Sequence, residues 1–246
     1  MLGFLRSRRL VKPPQLPEGI RIYALGDIHG RSDLLKEMFA VIDADIAQNP
    51  VSRSIEVFLG DYVDRGPDSA HTLDLLIERS LHRETVFLKG NHEAFLLEVL
   101  RDPGKLEDWR QFGGLQTLMS YGLQPTLNPD SAEQADLIGA LSEVMPRDHL
   151  RFLEGLKPSF VCGDFFFVHA GVRPGIPLKE QQESDLLWIR NEFLDSDENF
   201  GKFIVHGHTP VQKPDIRPNR INIDTGAYAT GNLTLLTIQG SRMLPL

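Results

Sequence analysis

The stretch Gly60-Asp61-Tyr62-Val63-Asp64-Arg65-Gly66-Pro67 decides the fold and function that this sequence predicts. It places two carboxylates and one guanidinium within five residues, directly after an apolar run at residues 55–59. A short apolar run followed by a Gly- and Pro-containing turn is typical of a strand that leaves a protein core. Open α/β sheets bind ligands at such strand ends. Taken alone, the stretch fits either a functional turn or an acidic surface turn.

The same succession of strand, polar turn and helix occurs three times in the first half of the chain. Apolar runs at residues 20–25, 55–59 and 85–88 are each followed by a polar turn that contains glycine. Each turn is followed by apolar residues at helical spacing. Repeated units of this kind predict βαβ connections in a layered α/β protein.

Further strands are predicted in the second half, at residues 159–162, 165–168, 203–205, 220–223 and 233–238. The first two indicate a hairpin-like pair, and the second of them runs straight into His169. The third leads into His206-Gly207-His208. We expect the last two to form a final antiparallel pair.

Residues 103–158 differ in character from the rest of the chain. Their pattern is mostly helical, is interrupted by glycines and prolines, and contains no cluster of metal-ligand type. We expect a helical insertion packed beside the site. It either takes part in substrate selection or serves as scaffold, and the sequence leaves both open.

Length and composition indicate an ordinary globular domain. The 246 residues are 41% hydrophobic and 24% charged, which is enough to bury a core without disulfides. We expect a single domain over residues 19–246. Residues 1–18 are expected to form a flexible tail, because their apolar run is too short for a signal peptide or a membrane span and three prolines follow it.

Charge and cysteine content restrict the partners and the compartment. Acidic residues outnumber basic ones by 34 to 26, and the resulting net charge of −8 does not indicate nucleic-acid binding. Cys162 is the sole cysteine, so an intramolecular disulfide cannot form and a reducing compartment is expected. We therefore expect a cytoplasmic monomer or weak oligomer, without a nucleic-acid partner or a membrane span.

Five strand ends each carry side chains of metal-ligand type: Asp27 with His29, Asp61 with Asp64, Asn91 with His92, His169, and His206 with His208. Oxygen and imidazole donors without thiolate suit manganese, iron, zinc or magnesium. Such a set exceeds the need of one ion with an open position, but it fits two ions that share a carboxylate. A positive centre of this kind within an acidic protein matches a phosphate substrate.

Five blocks of sequence carry a family resemblance: Gly-Asp-Ile-His-Gly at 26–30, Gly-Asp-Tyr-Val-Asp-Arg-Gly at 60–66, Gly-Asn-His-Glu at 90–93, His-Ala-Gly at 169–171 and Gly-His at 207–208. In this order they resemble the signature of the calcineurin-like metallophosphoesterases. The Asp-Arg-Gly block is similar to that of the phosphoprotein phosphatase branch, in its bacterial and phage form. The resemblance implies an α/β fold, namely a β-sandwich flanked by helices with a helical insertion.

The resemblance implies that six side chains hold two divalent metal ions: Asp27, His29, Asp61, Asn91, His169 and His208. Asp27 and His29 would bind the first ion, Asp61 would bridge the two, and the other three would complete the second site. Manganese is expected to support activity in vitro, with iron, zinc, magnesium and nickel as alternatives, because availability decides occupancy more than the ligands do.

The resemblance also implies a catalytic pair and phosphate ligands. His92 would be the general acid, and Asp64 would pair with it and fix its tautomer. Arg65 would hold the phosphoryl oxygens with its planar guanidinium, and Asn91 would also contact the substrate. Arg190, in Leu187-Trp188-Ile189-Arg190, resembles the family's second phosphate-binding arginine, although a surface helix charge is the alternative.

Together these roles imply a phosphomonoesterase that attacks phosphorus directly with a hydroxide held by two metals. The first expectation is a serine/threonine protein phosphatase, acting on a phosphoprotein. The alternative is a symmetrical diadenosine tetraphosphate hydrolase or another nucleotide phosphohydrolase, acting on a phosphorylated small molecule. A non-catalytic metal-binding scaffold is the possibility from another class. It predicts the loss of a ligand or of the acid, and the sequence retains them all.

Overall fold

Two five-stranded sheets form the framework of the molecule in a computed structural model, which describes residues 13–126 and 129–246. The strands are β1 (Ile20–Leu25), β2 (Arg53–Phe58), β3 (Thr85–Phe87), β4 (Ser159–Cys162), β5 (Phe165–Val168), β6 (Phe203–His206), β7 (Asp215–Ile216), β8 (Arg220–Asn222), β9 (Leu235–Gln239) and β10 (Arg242–Pro245). The helices are α1 (Ser32–Gln48), α2 (Ser69–His82), α3 (Asn91–Arg101), α4 (Leu106–Gln111), α5 (Gly114–Ser120), α6 (Ser131–Val144), α7 (Arg147–Glu154), α8 (Glu183–Trp188), α9 (Asn191–Leu194) and α10 (Ala227–Thr230).

Each sheet contains three parallel strands. The first sheet has the order β10-β9-β1-β2-β3, in which β1, β2 and β3 are parallel. The second has the order β4-β5-β6-β8-β7, in which β5, β6 and β8 are parallel. Because parallel strands end at the same edge of a sheet, the loops that follow them leave together. The candidate site is built from these loops.

Apolar side chains between the two sheets form the central core. On β1, Ile22 and Ala24 belong to the same cluster as Phe165 of β5, whereas Tyr23 and Leu25 belong to the cluster that includes the helices. This alternation follows from the two-residue period of a strand, which points successive side chains to opposite faces. The predicted β-sandwich flanked by helices is confirmed.

Helices α4 to α7 make up most of the predicted insertion at residues 103–158. Leu106 and Trp109 of α4, Leu118 of α5 and Leu141 of α6 are buried in the same cluster as Leu96 of α3. The insertion therefore packs against the helix that begins with Asn91 and His92, and its predicted helical character is confirmed.

Part of the predicted tail packs against the fold. Residues 1–12 lie outside the described residues, but Leu16 is buried and its N–H donates to the Gly240 carbonyl at 2.9 Å. The N–H of Gln15 donates to the Asp164 carboxylate at 3.0 Å. The single domain over residues 19–246 stays a prediction. Within the described ranges, no helix is both long and apolar enough to cross a membrane.

The predicted pairing of the two closing segments is wrong. Strand β8 runs parallel to β6 in the second sheet, whereas β9 runs antiparallel to β1 in the first. The hairpin partner of β9 is β10, with Met243 opposite Ile238. Residues 223–234 connect β8 to β9 across the two sheets, and they are too many for a tight hairpin turn. The predicted pair β4 and β5 is confirmed, with Ser159 opposite Val168.

Arg79 of α2 joins the helix layer to the first sheet through a buried ion pair, since it donates at 2.7 Å to Glu56, whose side chain is 2% exposed. Arg79→Ala would leave this carboxylate buried without its partner, so we expect the free energy of unfolding to fall by about 3–5 kcal/mol in urea denaturation. Arg53→Ala removes the exposed pair with Glu84 and is the control, which should change little. Equal effects of the two variants would contradict this account.

Candidate metal centre and active site

Six loops converge at one edge of the two sheets and bring together buried polar side chains. The loops after β1 and β2 supply Asp27 with His29 and Asp61 with Asp64, and the loop after β3 leads into Asn91 with His92 at the start of α3. The loops after β5, β6 and β8 supply His169, His208 and Asp224. Each of these side chains is at most 5% exposed. The structure thus gathers every residue that the sequence predicts as a metal ligand or as part of the acid pair.

Backbone hydrogen bonds hold the first two loops against each other. The N–H of His29 donates to the Asp61 carbonyl at 2.7 Å, and that of Gly30 donates to the Tyr62 carbonyl at 2.8 Å. A Cβ at Gly66 would lie 1.9 Å from the His29 carbonyl oxygen, so only glycine allows this approach.

The site stores backbone strain. Within the described residues, the positive φ angles outside glycine all belong to site loops: His29 (46°), Asp61 (53°), Asp64 (69°), Arg65 (67°) and His208 (67°). Such conformations cost about 1–3 kcal/mol each and cluster at active sites, where the surrounding structure holds them. The loops therefore present their side chains in directions that relaxed turns would not give.

Asp61 lies between two groups of donor atoms. His29 Nε2 lies 3.5 Å from Asp61 Oδ2, and His169 Nε2 lies 3.4 Å from Asp61 Oδ1. The other ring nitrogen of each histidine faces a carbonyl, Val63 at 2.9 Å for His29 and Leu59 at 3.0 Å for His169. A carbonyl only accepts, so each Nδ1 carries the proton and each Nε2 turns its lone pair toward Asp61.

Asn91 and His208 complete the second group. Asn91 Oδ1 lies 2.9 Å from both His169 Nε2 and His208 Nδ1. Donor atoms of Asp61, His169 and His208 lie within 4.8 Å of one another. A carboxylate, an amide oxygen and two imidazoles that converge in this way suit a borderline divalent cation.

Asp27 lies beside the first group without belonging to its tightest cluster. Its carboxylate accepts the N–H of His208 at 3.0 Å. Burial and the neighbouring carboxylates of Asp224 and Asp61 hold the pKa of Asp27 well above its usual value. Bound cations would relieve this repulsion, so the buried acidic groups fit a metal centre.

His92 is held by Asp64 and presents its second nitrogen to the site. Its Nδ1–H donates to Asp64 Oδ2 at 2.8 Å, and its buried Nε2 has no hydrogen-bond partner in the described part of the chain. Donor atoms of His92, His29 and Asp61 also lie within 4.8 Å of one another. Burial alone lowers the pKa of His92, but Asp61 and Asp64 raise it above its usual value. A free Nε2 with a raised pKa suits a proton donor.

Two side chains of the helical insertion hold Asp64 in turn. Trp109 donates from Nε1 to Oδ2 at 2.8 Å, and the Thr117 hydroxyl donates to Oδ1 at 2.6 Å. Asp64 is fully buried, so these donors and His92 stabilise its charge in place of water. Sequence reasoning missed both residues, because they lie 45 and 53 positions from Asp64 and match no local motif.

Both predicted arginines lie at the site. Arg65 Nη1 lies 3.3 Å from His29 Nε2, and the Arg65 N–H donates to the Gly113 carbonyl at 3.1 Å. Arg190 is exposed at the rim. Burial lowers the pKa of His208 to about 2, and the charges of His169 and Arg190 act in the same direction. Arg65 therefore contacts a predicted ligand directly, and the charge of Arg190 acts on another.

His206 and Asp224 lie near the predicted ligands and differ in their surroundings. His206, which is not among the six predicted ligands, is buried and packs against Phe193 with 5.0 Å between ring centroids. Asp224 is a site carboxylate that sequence reasoning missed, and burial raises its pKa to about 6. Its signal was a polar turn directly after an apolar strand, the same signal that identified Asp61.

A family model of calcineurin-like phosphoesterases matches residues 20–235, which include all six site loops. The chain belongs to the calcineurin-like phosphoesterases. It is a hydrolase that acts on phosphoric esters, in a family that uses divalent metals.

Known proteins similar to this phosphoesterase match most of its length. The asymmetrical bis(5'-nucleosyl)-tetraphosphatase PrpE of Anoxybacillus flavithermus is 28% identical over 235 residues, which cover 86% of this chain and 88% of that protein. A crystal structure of a candidate diadenosine tetraphosphatase has a TM-score of 0.63 at 20% identity, over 96% of this chain and 98% of that one. A serine/threonine phosphatase of Saccharomyces cerevisiae has a TM-score of 0.56 at 15% identity, over 96% and 83%. At these identities, the two structures show a shared fold alone.

Thr117→Val removes the hydroxyl that donates to Asp64 and keeps the size of the side chain. We expect the free energy of unfolding to fall by about 1–3 kcal/mol, and turnover of an alkyl phosphate by the manganese-loaded enzyme to fall roughly tenfold or more, because His92 loses its fixed support. Thr72→Val is the control, since Thr72 of α2 is equally buried but donates to the carbonyl of Asp68, the residue before that helix. It should cost stability and leave turnover intact. Wild-type turnover by Thr117→Val would contradict the positioning role.

Proposed function

We propose that this phosphoesterase hydrolyses dinucleoside tetraphosphates. The observation that carries the proposal is the similarity over 86% of the chain to a relative named for that activity. The sequence alone favoured a serine/threonine protein phosphatase, and the similarity favours the nucleotide alternative. The shared fold does not choose between them, because structural neighbours carry both names.

We propose that the predicted ligands hold two metal ions, the first by Asp27, His29 and Asp61, and the second by Asp61, Asn91, His169 and His208. The buried donor groups on either side of Asp61 support this division. When bound, the ions would supply positive charge to the phosphoryl oxygens and lower the pKa of a water molecule. Manganese is the ion to test first, and the donors also suit iron, zinc and magnesium.

Arg65, Arg190 and Asn91 bind and orient the phosphate chain in this proposal. Arg65 is held at both ends: its backbone N–H donates a hydrogen bond to the Gly113 carbonyl, and its guanidinium contacts the His29 ring. A planar guanidinium can donate two parallel hydrogen bonds to phosphoryl oxygens. Arg190 at the exposed rim extends this positive surface toward incoming substrate.

His92 protonates the leaving oxygen from Nε2, and Asp64 keeps the proton of Nδ1 in place. The geometry that supports this role is the free Nε2 and the bond of 2.8 Å from Nδ1 to Asp64. In a tetraphosphate, the leaving group is itself a phosphate, which departs more readily than the alkoxide of a serine ester. The acid therefore contributes less to anhydride cleavage than to hydrolysis of alkyl phosphates.

The position of cleavage distinguishes two versions of the proposal. A tetraphosphate bridge offers one central and two outer anhydride bonds. Central cleavage yields two nucleoside diphosphates, whereas outer cleavage yields a monophosphate and a triphosphate. We propose outer cleavage, because the similar relative is named as asymmetrical.

The test compares turnover of diadenosine tetraphosphate with that of phosphoserine, phosphothreonine and phosphotyrosine peptides, using the manganese-loaded enzyme and a metal-free control. We expect the tetraphosphate to show the highest kcat/KM, by roughly tenfold or more, because contacts of the enzyme to the nucleoside and to the phosphate chain would both stabilise the transition state. Chromatography of the products should show AMP and ATP. Faster hydrolysis of the peptides would contradict the proposal and favour a protein phosphatase. Two molecules of ADP as products would show that cleavage occurs at the central bond.

A further inference from the structure

Three aromatic side chains stand exposed around the mouth of the site. Phe112, Trp188 and Tyr228 are 39%, 42% and 38% exposed, and none of the other large hydrophobic side chains exposed within the described ranges is aromatic. Each ring contacts a histidine of the site: Phe112 with His92, Trp188 with His208, and Tyr228 with His29. Exposed aromatic rings are thus concentrated where substrate enters.

Phe112 and Trp188 form two walls of one corner. Their ring centroids are 6.3 Å apart and their planes meet at 72°. The corner lies against the site, because the Phe112 centroid is 6.3 Å from that of His92 and the Trp188 centroid is 6.2 Å from that of His208. A flat ring that stacks on one wall would touch the edge of the other, which is a favourable aromatic arrangement.

The corner is connected to both phosphate-binding arginines. Trp188 precedes Arg190 by two residues, so one segment carries a ring and a guanidinium. Phe112 precedes Gly113, whose carbonyl accepts the Arg65 N–H. A ligand held here would therefore carry phosphate and a flat aromatic group a short distance apart, as a nucleotide does.

We propose that Phe112 and Trp188 are the walls of a nucleobase-binding corner that positions one nucleoside of the substrate. The proposal deepens the proposed function and rests on it, since it assigns the base of the same substrate. Aromatic side chains stack on any base, so this corner selects nucleotides over other phosphate esters without requiring one particular base. It also gives the helical insertion, through Phe112, a part in substrate selection.

The experiment measures binding of AMP and of ribose 5-phosphate to the manganese-loaded protein by calorimetry. The two ligands share the phosphate and the sugar and differ in the base. We expect AMP to bind at least about fivefold more tightly to the wild type, the smallest ratio that stacking of one base should give. Trp188→Ala and Phe112→Ala should bring the ratio toward one and leave binding of ribose 5-phosphate unchanged. Trp188→Phe should keep the preference, and Leu81→Ala, which removes an exposed side chain of α2, is the control.

The outcomes separate the corner from the proposed function. Equal binding of the two ligands to the wild type, or an unchanged ratio in both alanine variants, overturns the corner. Hydrolysis of diadenosine tetraphosphate is measured on the same proteins. If the wild type cleaves it while the binding ratio is one, the function stands without the corner. If the ratio falls in the variants but no tetraphosphate is cleaved, the corner stands and the proposed function fails.

Discussion

The buried carboxylate of Glu93 connects the loops on which the site depends. Its oxygens accept the N–H groups of Asp61 and Gly90, both at 2.9 Å, and that of Tyr62 at 2.6 Å. Glu93 belongs to α3, whose first residue is Asn91, so a single side chain fixes the loop after β2 relative to the start of this helix. A buried carboxylate that accepts several N–H groups holds backbone in place without water. The position of Asp61 between its two groups of histidines follows from this connection.

Other parts of the site are also held by hydrogen bonds from residues outside the set of predicted ligands. Asp61 and Arg65 have a positive φ, and hydrogen bonds from neighbouring loops hold both residues, since the Asp61 carbonyl accepts the His29 N–H and the Arg65 N–H donates to the Gly113 carbonyl. Trp109 and Thr117 hold Asp64, which in turn holds His92, so the helical insertion helps to position this histidine. Donor atoms fixed by such buried hydrogen bonds need little reorganisation at the moment of reaction.

The local parts of this arrangement could be predicted from the sequence, and the long-range parts could not. Strand ends followed by polar turns indicated Asp27, Asp61, Asn91, His169 and His208, because a turn is encoded by neighbouring residues. The support of Asp64 by Trp109 and Thr117 depends on packing between distant helices, which no short pattern encodes. The partner of β9 was missed for the same reason, since sheet pairing is decided by the whole fold. Asp224 could have been predicted, because it lies in a polar turn directly after an apolar strand, but this pattern was not applied to it.

We propose that one carboxylate, Asp61, is shared by two metal ions that act as one centre. Electron paramagnetic resonance of the protein titrated with Mn²⁺ tests it most directly. At two ions per chain, we predict the spectrum of a magnetically coupled pair, because ions that share a carboxylate lie within about 4 Å of each other. The Asp61→Asn variant should lose this coupling while remaining folded. A spectrum of isolated Mn²⁺ at full loading, or saturation at one ion per chain, would contradict the account.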